Sequence, residues 1–390
     1  MFPNLSYVFE YFFGVHITAL QPFQTFGFMM AISFLAAAFF LVKEMKRKES
    51  QNLMRAFPKK ILKGKPATTE DYLWNVIGGF IVGYKVLPVF LDFNSFANDP
   101  QHFLLNYNGN FIGGLIFAAA VCYLKYLDIQ KERKKYPEPT EITMMVMPHQ
   151  MVGDITLLAA LSGLVGAKVF AGLESPSTFF QTLLSPFEGL TFYGGLFFGA
   201  LTVIWYIRKK KISIIHMADA VAPSLILAYG VGRIGCQLSG DGDWGIANTA
   251  AKPSWFFLPD WMWSFRYPHN VIDSDGSGVF IPGCTGKYCT MLKEPVFPTP
   301  FYEAVVGILI FIFLWSIRKK LKVPGMLFSI YLILNGIERF MVELIRVNVR
   351  YEFLGISFTQ AEMIALMMIA LGIVGVILTR KRFQKQNQIE

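Results

Sequence analysis

The chain has 390 residues, 54% of them hydrophobic, 16% aromatic and only 16% charged, with a mean hydropathy of +0.43. A soluble domain carries about 25% charged residues, so the composition excludes an ordinary water-soluble fold and predicts an all-α integral membrane protein. The net charge of +9 does not mark a nucleic-acid binder, because the basic residues cluster beside apolar runs.

The clusters are KEMKRKE (43–49), PKKILKGK (58–65), KERKK (131–135), RKKK (208–211), RKKLK (318–322) and RKRFQK (380–385). At the start of the chain, MFPNLSYVFEYFF lacks the basic opening and small-residue cleavage site of a signal peptide. Its aromatic side chains predict an interfacial segment. Apolar runs of roughly 20 residues, enough to cross a bilayer, predict about nine spans. They lie near 23–42, 73–91, 107–127, 153–173, 189–207, 213–235, 301–317, 324–342 and 357–379. Basic clusters follow the first, third, fifth, seventh and ninth, so the positive-inside rule predicts an external N-terminus and a cytoplasmic C-terminus. Segments 92–106 and 174–188 hold no Lys or Arg, as external loops should. A large external loop, 238–298, is rich in Gly, Pro, Asp and Trp.

Two stretches repeat within one membrane domain of 1–390. DYLWNVIGGFIVGYKV from Asp71 parallels DITLLAALSGLVGAKV from Asp154; in each a lysine, Lys85 or Lys168, follows the aspartate by fourteen residues in V-G-x-K. NYNGNFIGGLIFAA (106–119) then parallels GLTFYGGLFFGA (189–200). Residues 71–127 and 154–207 are therefore expected to be two copies of one helix pair. Asp219 and Arg233 repeat the spacing alone.

An ionisable group at bilayer depth costs several kcal/mol unless it is paired or hydrated, which singles out Lys85, Lys168, Arg233, Glu303, Arg339, Glu343 and Arg346. The two lysines have a structural reading beside the functional one, as snorkelling or ion-paired groups. Arg339, Glu343 and Arg346 are spaced i, i+4, i+7, which places them on one helix face. With Arg233, at the external end of its span, they put positive charge from two helices at the external rim. Arginine binds phosphate bidentately, and the anion that lives at that rim is a phospholipid head group. Glycines beside these residues, Gly232 and the Gly194-Gly195 pair, allow a close approach of backbone or lipid.

No metal constellation or cofactor motif is expected. His16, His102, His149, His216 and His269 show no ligand spacing, and DSDGSG (273–278) lacks the later Glu of a calcium loop. Cys236 is expected to pack as a small apolar group. Cys284 and Cys289, in CTGKYC, can equally form a disulfide in an oxidising compartment or remain thiols. WFFLPDWMW (255–263) predicts an interfacial or substrate-facing segment.

Five blocks in order resemble the prolipoprotein diacylglyceryl transferase family. GRIGCQLSGDGDWG (232–245) is similar to its G-R-x-G-N-F-x-N-G-E-x-x-G, and GLTFYGG (189–195) to its S-F-H-G-G. FPTPFYE (297–303) resembles H-P-T-Q-L-Y-E, and GMLFSIYLILNGIERFMVELIR (325–346) resembles G-x-x-x-x-x-Y-L-x-x-Y-G-x-x-R-F-x-x-E-x-x-R. SFTQAEMIAL (357–366) parallels G-L-T-x-G-Q-x-L-S. Departures are Cys236 and Gln237 in place of Asn-Phe, Ser239 in place of the second Asn, and Phe297 in place of His.

The resemblance implies a bacterial cytoplasmic-membrane enzyme with two spans more than the family's usual seven. It would transfer diacylglyceryl from phosphatidylglycerol to the lipobox cysteine thiol of a prolipoprotein, forming a thioether and releasing glycerol phosphate. It further implies Arg233 and Arg346 as a phosphate clamp, and Tyr193 at the place of the family's His, as a hydrogen-bond partner. Asp241 or Asp243 would stand for the family's Glu, with Tyr302 and Glu303 ordering the site. A lipid-binding protein on the same fold, or an ion-coupled transporter using the Asp71/Lys85 and Asp154/Lys168 repeats, are the other function classes.

Overall fold

The computed structural model describes residues 1–64, 68–98, 100–106, 108–174, 176–184, 191–272, 278–284, 287–353 and 355–387. Residues 273–277 of DSDGSG and residues 189–190 of GLTFYGG lie outside them. The helices are α1 (Leu5–Phe13), α2 (Thr25–Ser50), α3 (Thr69–Leu91), α4 (Phe93–Asn98), α5 (Pro100–Leu105), α6 (Phe111–Lys135) and α7 (Val152–Glu174). They continue as α8 (Phe179–Leu184), α9 (Phe192–Lys209), α10 (Ile214–Ser239), α11 (Thr299–Ile317), α12 (Met326–Glu343) and α13 (Gln360–Asn387). Three two-stranded antiparallel sheets, which the sequence reading did not anticipate, pair β1 (Phe57–Lys63) with β2 (Thr140–Val146), β3 (Val279–Phe280) with β4 (Thr290–Met291), and β5 (Arg350–Phe353) with β6 (Ile356–Thr359).

Among the described residues, seven helical segments are long and apolar enough to cross a membrane: Thr25–Ser50, Thr69–Leu91, Phe111–Lys135, Pro148–Glu174, Ile214–Ser239, Thr299–Ile317 and Gln360–Lys385. The protein is thus mostly helical with seven such helices. The two remaining segments read as spans are the 18-residue helices α9 and α12. Charge shortens their apolar length, since α9 ends in Arg208 and Lys209 and α12 carries Glu338, Arg339 and Glu343. Apolar side chains such as Ile81, Phe90, Leu161 and Leu371 are 57–77% exposed; faces of this kind require lipid around them.

The chain divides into two compact units. The smaller comprises Asn4–Gln24 and Phe57–Val146. Here α3 starts with a capping box, in which Thr68 Oγ1 accepts from Asp71 N at 3.3 Å and Thr68 N donates to Asp71 Oδ2 at 3.0 Å. Asp71 is therefore occupied at a helix start. The α3–α6 pair meets through glycines: a Cβ on Gly83 would lie 2.3 Å from the Gly113 carbonyl oxygen and 2.4 Å from Phe117 Cβ. Lys85 donates to the carbonyls of Asn106 and, at 2.8 Å, Asn108. It thereby ties the connection ahead of α6. The strand pair β1–β2 keeps Lys60 opposite Thr143, with Lys60 in an exposed ion pair to Glu141 at 2.9 Å.

The larger unit comprises Met1–Pro3, Thr25–Ala56 and Met147–Glu390. Its centre is α10, half of whose apolar window is buried in protein, against 11% for α3. Ala222, Ile226 and Leu227 of α10 pack with Ile310, Phe311 and Leu314 of α11 and with Leu327 and Tyr331 of α12. At the end of α10 away from Arg233, the Asp219 carboxylate accepts from Gly325 N at 2.8 Å and Phe328 N at 3.0 Å, capping α12. That work explains Asp219 without any role in a repeat. Beside it Glu44, fully buried, pairs with Arg47 and with Arg318 at 3.1 Å.

The α7–α9 pair reproduces the α3–α6 contact position for position. A Cβ on Gly166 would lie 2.4 Å from Phe198 Cβ and 2.5 Å from the Gly194 carbonyl oxygen. Lys168 donates to the Thr182 carbonyl at 3.3 Å, again in the connection between the two helices. Neither backbone oxygen nor Cβ can yield by rotation, so Gly166→Ala should push α7 and α9 apart at a cost of about 1–3 kcal/mol. Thermal unfolding of the purified protein should register this as a lowered midpoint. Gly153→Ala, whose added Cβ would meet nothing within 4 Å, should leave the midpoint unchanged.

Candidate functional site

The local fold around Arg233 begins where α10 stops. Gly240 ends the helix in the left-handed region at φ 65°, with its N–H on the Cys236 carbonyl at 3.0 Å, a common helix-terminating device. Gly242 follows at φ 95°. The chain then runs between two other elements: Gly245 N donates to the Phe297 carbonyl at 2.9 Å, and Ile246 N to the Ile345 carbonyl at 2.8 Å. A Cβ on Gly245 would lie 2.5 Å from that Ile345 oxygen, so glycine alone fits there. Thr299, at the start of α11, donates its hydroxyl to the Asp243 carbonyl at 2.8 Å. The turn is thus stitched to the start of α11 and the end of α12, which brings Asp243 over both.

Six charged side chains converge at this junction. Asp243 offers one carboxylate oxygen to Arg233 and the other to Arg346 Nη2 at 2.7 Å. Glu303 of α11, fully buried, lies 3.2 Å from Arg233 Nε and 3.3 Å from both Arg339 Nη1 and Arg346 Nη1. Arg339 Nη2 reaches Glu343 Oε2 at 2.8 Å. Three guanidinium groups thus balance three carboxylates, the condition under which buried charge is tolerated. Asp243 is the accessible member, its side chain 36% exposed while Arg233 and Arg346 are 18% and 11% exposed.

A model of the prolipoprotein diacylglyceryl transferase family matches residues 114–378. The chain belongs to the prolipoprotein diacylglyceryl transferase family. A phosphatidylglycerol–prolipoprotein diacylglyceryl transferase of Leptospira interrogans is 28% identical over 245 residues, covering 55% of this chain and 67% of the relative. One of Bifidobacterium adolescentis is 30% identical over 244 residues, covering 58% and 66%. One of Corynebacterium diphtheriae is 26% identical over 230 residues, covering 57% and 76%. The family makes this chain a transferase by descent.

Of the residues singled out in the sequence, the structure gathers Arg233, Asp243, Glu303, Arg339, Glu343 and Arg346 in one cluster. Tyr193 joins them from α9, its hydroxyl accepting from Arg339. Asp241 stands behind, beside Cys236 and 3.4 Å from the Asp243 N–H. Cys236 is buried, with Sγ 3.8 Å from Asp243 Oδ2 and 3.9 Å from Arg233 Nη1. Tyr302 points elsewhere: its hydroxyl donates to the Met262 carbonyl at 2.6 Å and so anchors the long loop between α10 and α11. Gly194 and Gly195 serve the contact with α7, and Gly232 faces Met30 of α2 with 3.4 Å to its sulfur. Cys284 and Cys289 form a disulfide within that loop, whereas Cys122 and Cys236 are free thiols.

Three participants escaped the sequence reading. Tyr229 donates to Glu303 Oε1 at 2.9 Å and reaches Glu338 Oε1 at 3.2 Å; Asn348 donates to Glu343 Oε1 at 2.6 Å. The signal for Tyr229 was its place four residues before Arg233, which sets the guanidinium 5.2 Å from the ring centroid. Glu338 adjoins Arg339 in sequence but lies off the charged stripe.

Electrostatics separates the two aspartates. Burial raises Asp241 above the ordinary carboxylate value. Burial also pushes Asp243 up, but the guanidiniums of Arg233 and Arg346 outweigh it and hold that carboxyl below its ordinary value. Arg346 is burdened by burial and held charged by Asp243 and Glu303. Cys236, Asp241 and Asp243 have potential ligand atoms within 4.8 Å of one another, yet both Asp243 oxygens already face arginines, which repel a metal cation.

A carboxyl depressed in the folded state stabilises above its unfolded value of about 3.9, and that contribution is lost as pH falls through the lower folded value. Asp243→Asn should therefore lower the thermal midpoint near neutral pH and flatten its decline below about pH 4. A midpoint series against pH for both proteins checks this. An unchanged acid limb would mean that Asp243 is not ion-paired in the folded protein.

Proposed function

We propose that this protein transfers the diacylglyceryl group of phosphatidylglycerol to the lipobox cysteine of prolipoproteins, releasing glycerol phosphate. One observation carries the reading: two arginines from different elements share a single carboxylate, Asp243, the most exposed member of the charge cluster. A carboxylate bridging two guanidinium forks occupies the place that a phosphodiester would take.

On this reading the head-group phosphate displaces Asp243 and sits between Arg233 and Arg346. Relieved of both arginines, the buried Asp243 carboxylate becomes more basic, because burial is then unopposed. It can take the proton of the incoming thiol, whose ordinary pKa is about 8.5. Sulfur attacks the glycerol carbon, the S–C bond forms as the C–O bond to phosphate breaks, and the electron pair remains on the phosphate oxygen. Arg233 and Arg346 stabilise the second negative charge that appears there. Tyr193 orients Arg339 and offers a hydrogen bond to the lipid or thiolate. No cofactor enters this scheme.

We also read α9 and α12 as completing nine spans in a bacterial inner membrane, with the N-terminus external. Basic residues in the last turns of α2, α6, α9 and α13 support that orientation. The matching glycine contacts and lysine–carbonyl ties of α3–α6 and α7–α9 support descent of the two pairs from one duplicated unit.

The test is incubation of the purified protein with phosphatidylglycerol and a lipobox peptide, following glycerol phosphate and the peptide's mass. Arg233→Ala and Arg346→Ala should each lower turnover about 100- to 1,000-fold. Near-normal turnover in either variant would sink the clamp. Stoichiometric bound lipid without turnover in the unmodified protein would favour a lipid-binding protein instead.

A further inference from the structure

Beside the balanced cluster lies a fourth acid that the reaction as written does not use. Glu338 of α12 is 5% exposed and enters none of the ion pairs among the described residues. Its Oε2 has no hydrogen-bond partner, while its Oε1 lies 3.2 Å from the Tyr229 hydroxyl. That same hydroxyl lies 2.9 Å from Glu303 Oε1. A tyrosine hydroxyl has one proton and can donate to only one of two carboxyl groups. Satisfying both contacts requires a second proton, carried by Glu338 and donated to the Tyr229 oxygen, with Tyr229 donating onward to Glu303. A neutral Glu338 also suits a position with no cation of its own, where an unpaired charge would be costly.

The groups acting on Glu338 are Tyr229 and Arg233 from α10, Glu303 from α11, and Arg339 and Tyr331 from α12 itself. At Gly336, two residues before Glu338, α13 presents Ala365 and Ile369, neither of them titratable.

We propose that Glu338 and Tyr229 form a positioning pair that moves one negative charge out of the arginine cluster as the product phosphate forms. The idea rests on the transfer reaction above. The Glu338 proton passes to the Tyr229 oxygen and the Tyr229 proton passes to Glu303. No proton is gained or lost. The carboxylate charge leaves Glu303, which touches Arg233, Arg339 and Arg346, and arrives on Glu338, which touches none of them. The arginines are then matched to a phosphate whose charge has risen from one to two.

Two variants keep the shape and remove the path, Glu338→Gln and Tyr229→Phe. Each should leave KM for phosphatidylglycerol nearly unchanged and lower kcat at least about 10-fold, with the double variant no worse than either single one. Inhibition by added glycerol phosphate supplies a readout that mere packing would not move. In the unmodified protein it should tighten as pH rises through the second phosphate ionisation near 6; in both variants that tightening should vanish.

Variants that retain kcat and the pH-dependent inhibition would overturn the proposal, as would a double variant whose losses multiply. Should Glu338→Gln fail to fold, Tyr229→Phe carries the same test alone. An unmodified protein that releases no glycerol phosphate indicts the transfer reaction instead, and calorimetric binding of glycerol phosphate against pH still decides the charge relocation.

Discussion

Burying Glu303 without exposure among three arginines is the constraint on which the rest of this structure depends. A single charge in that place would cost several kcal/mol, and removing one partner of a buried pair typically costs about 3–5 kcal/mol. The cluster is stable only if its members arrive together from α10, α11, α12 and the turn after α10. Each arrival has a visible cause: the left-handed Gly240 that ends α10, Gly245 where no side chain fits, and Thr299 holding the Asp243 carbonyl. Far along the same helices Asp219 fixes the start of α12 through two backbone N–H groups. The register of Arg339 and Glu343 against Arg233 is thereby set at both ends.

Close helix approach is the second device, and it is local. In lipid there is little hydrophobic drive between helices, so packing depends on small residues that let backbones touch. Gly230 and Gly307 place α10 against α11 with a virtual Cβ 3.2 Å from opposing backbone. Gly336 and Gly372 do the same for α12 and α13. The glycines near Arg233 that suggested room for a lipid are therefore taken up largely by neighbouring helices.

Much of this was legible in the sequence because membrane spans and a charged helix face are periodic signals. Hydropathy located the helices, and the i, i+4 spacing placed Arg339 and Glu343 on one face of α12. Arg346, expected on that same helix face, instead lies past the helix end at Glu343, in a β-bridge opposite Gly245, and reaches the cluster from there. Pairing across distance was not legible. Nothing local to Asp241 or Asp243 tells which one meets two arginines, since the choice follows from Gly242 at φ 95° and the stitch to α11. Tyr302 looked like a site residue because it adjoins Glu303, but neighbours on a helix point about 100° apart, and its hydroxyl serves the loop between α10 and α11. The β1–β2 pairing was missed because the two strands lie more than seventy residues apart, with two long helices between them.

The lysines and arginines inside the apolar segments divide the labour by chemistry. Lys85 and Lys168 are point charges with rotatable donors, and both spend them on backbone carbonyls that hold a helix connection in place. Arg233, Arg339 and Arg346 present planar forks and meet carboxylates. A fork matched to two oxygens can exchange a carboxylate for a phosphate without rebuilding its surroundings, whereas an ammonium buried in carbonyls has no comparable exchange to make. The same physical cost, a cation at bilayer depth, thus leads to a structural tie in the two glycine-packed helix pairs. At the junction of α10, α11 and α12 it leads to a cluster in which three guanidiniums meet three carboxylates.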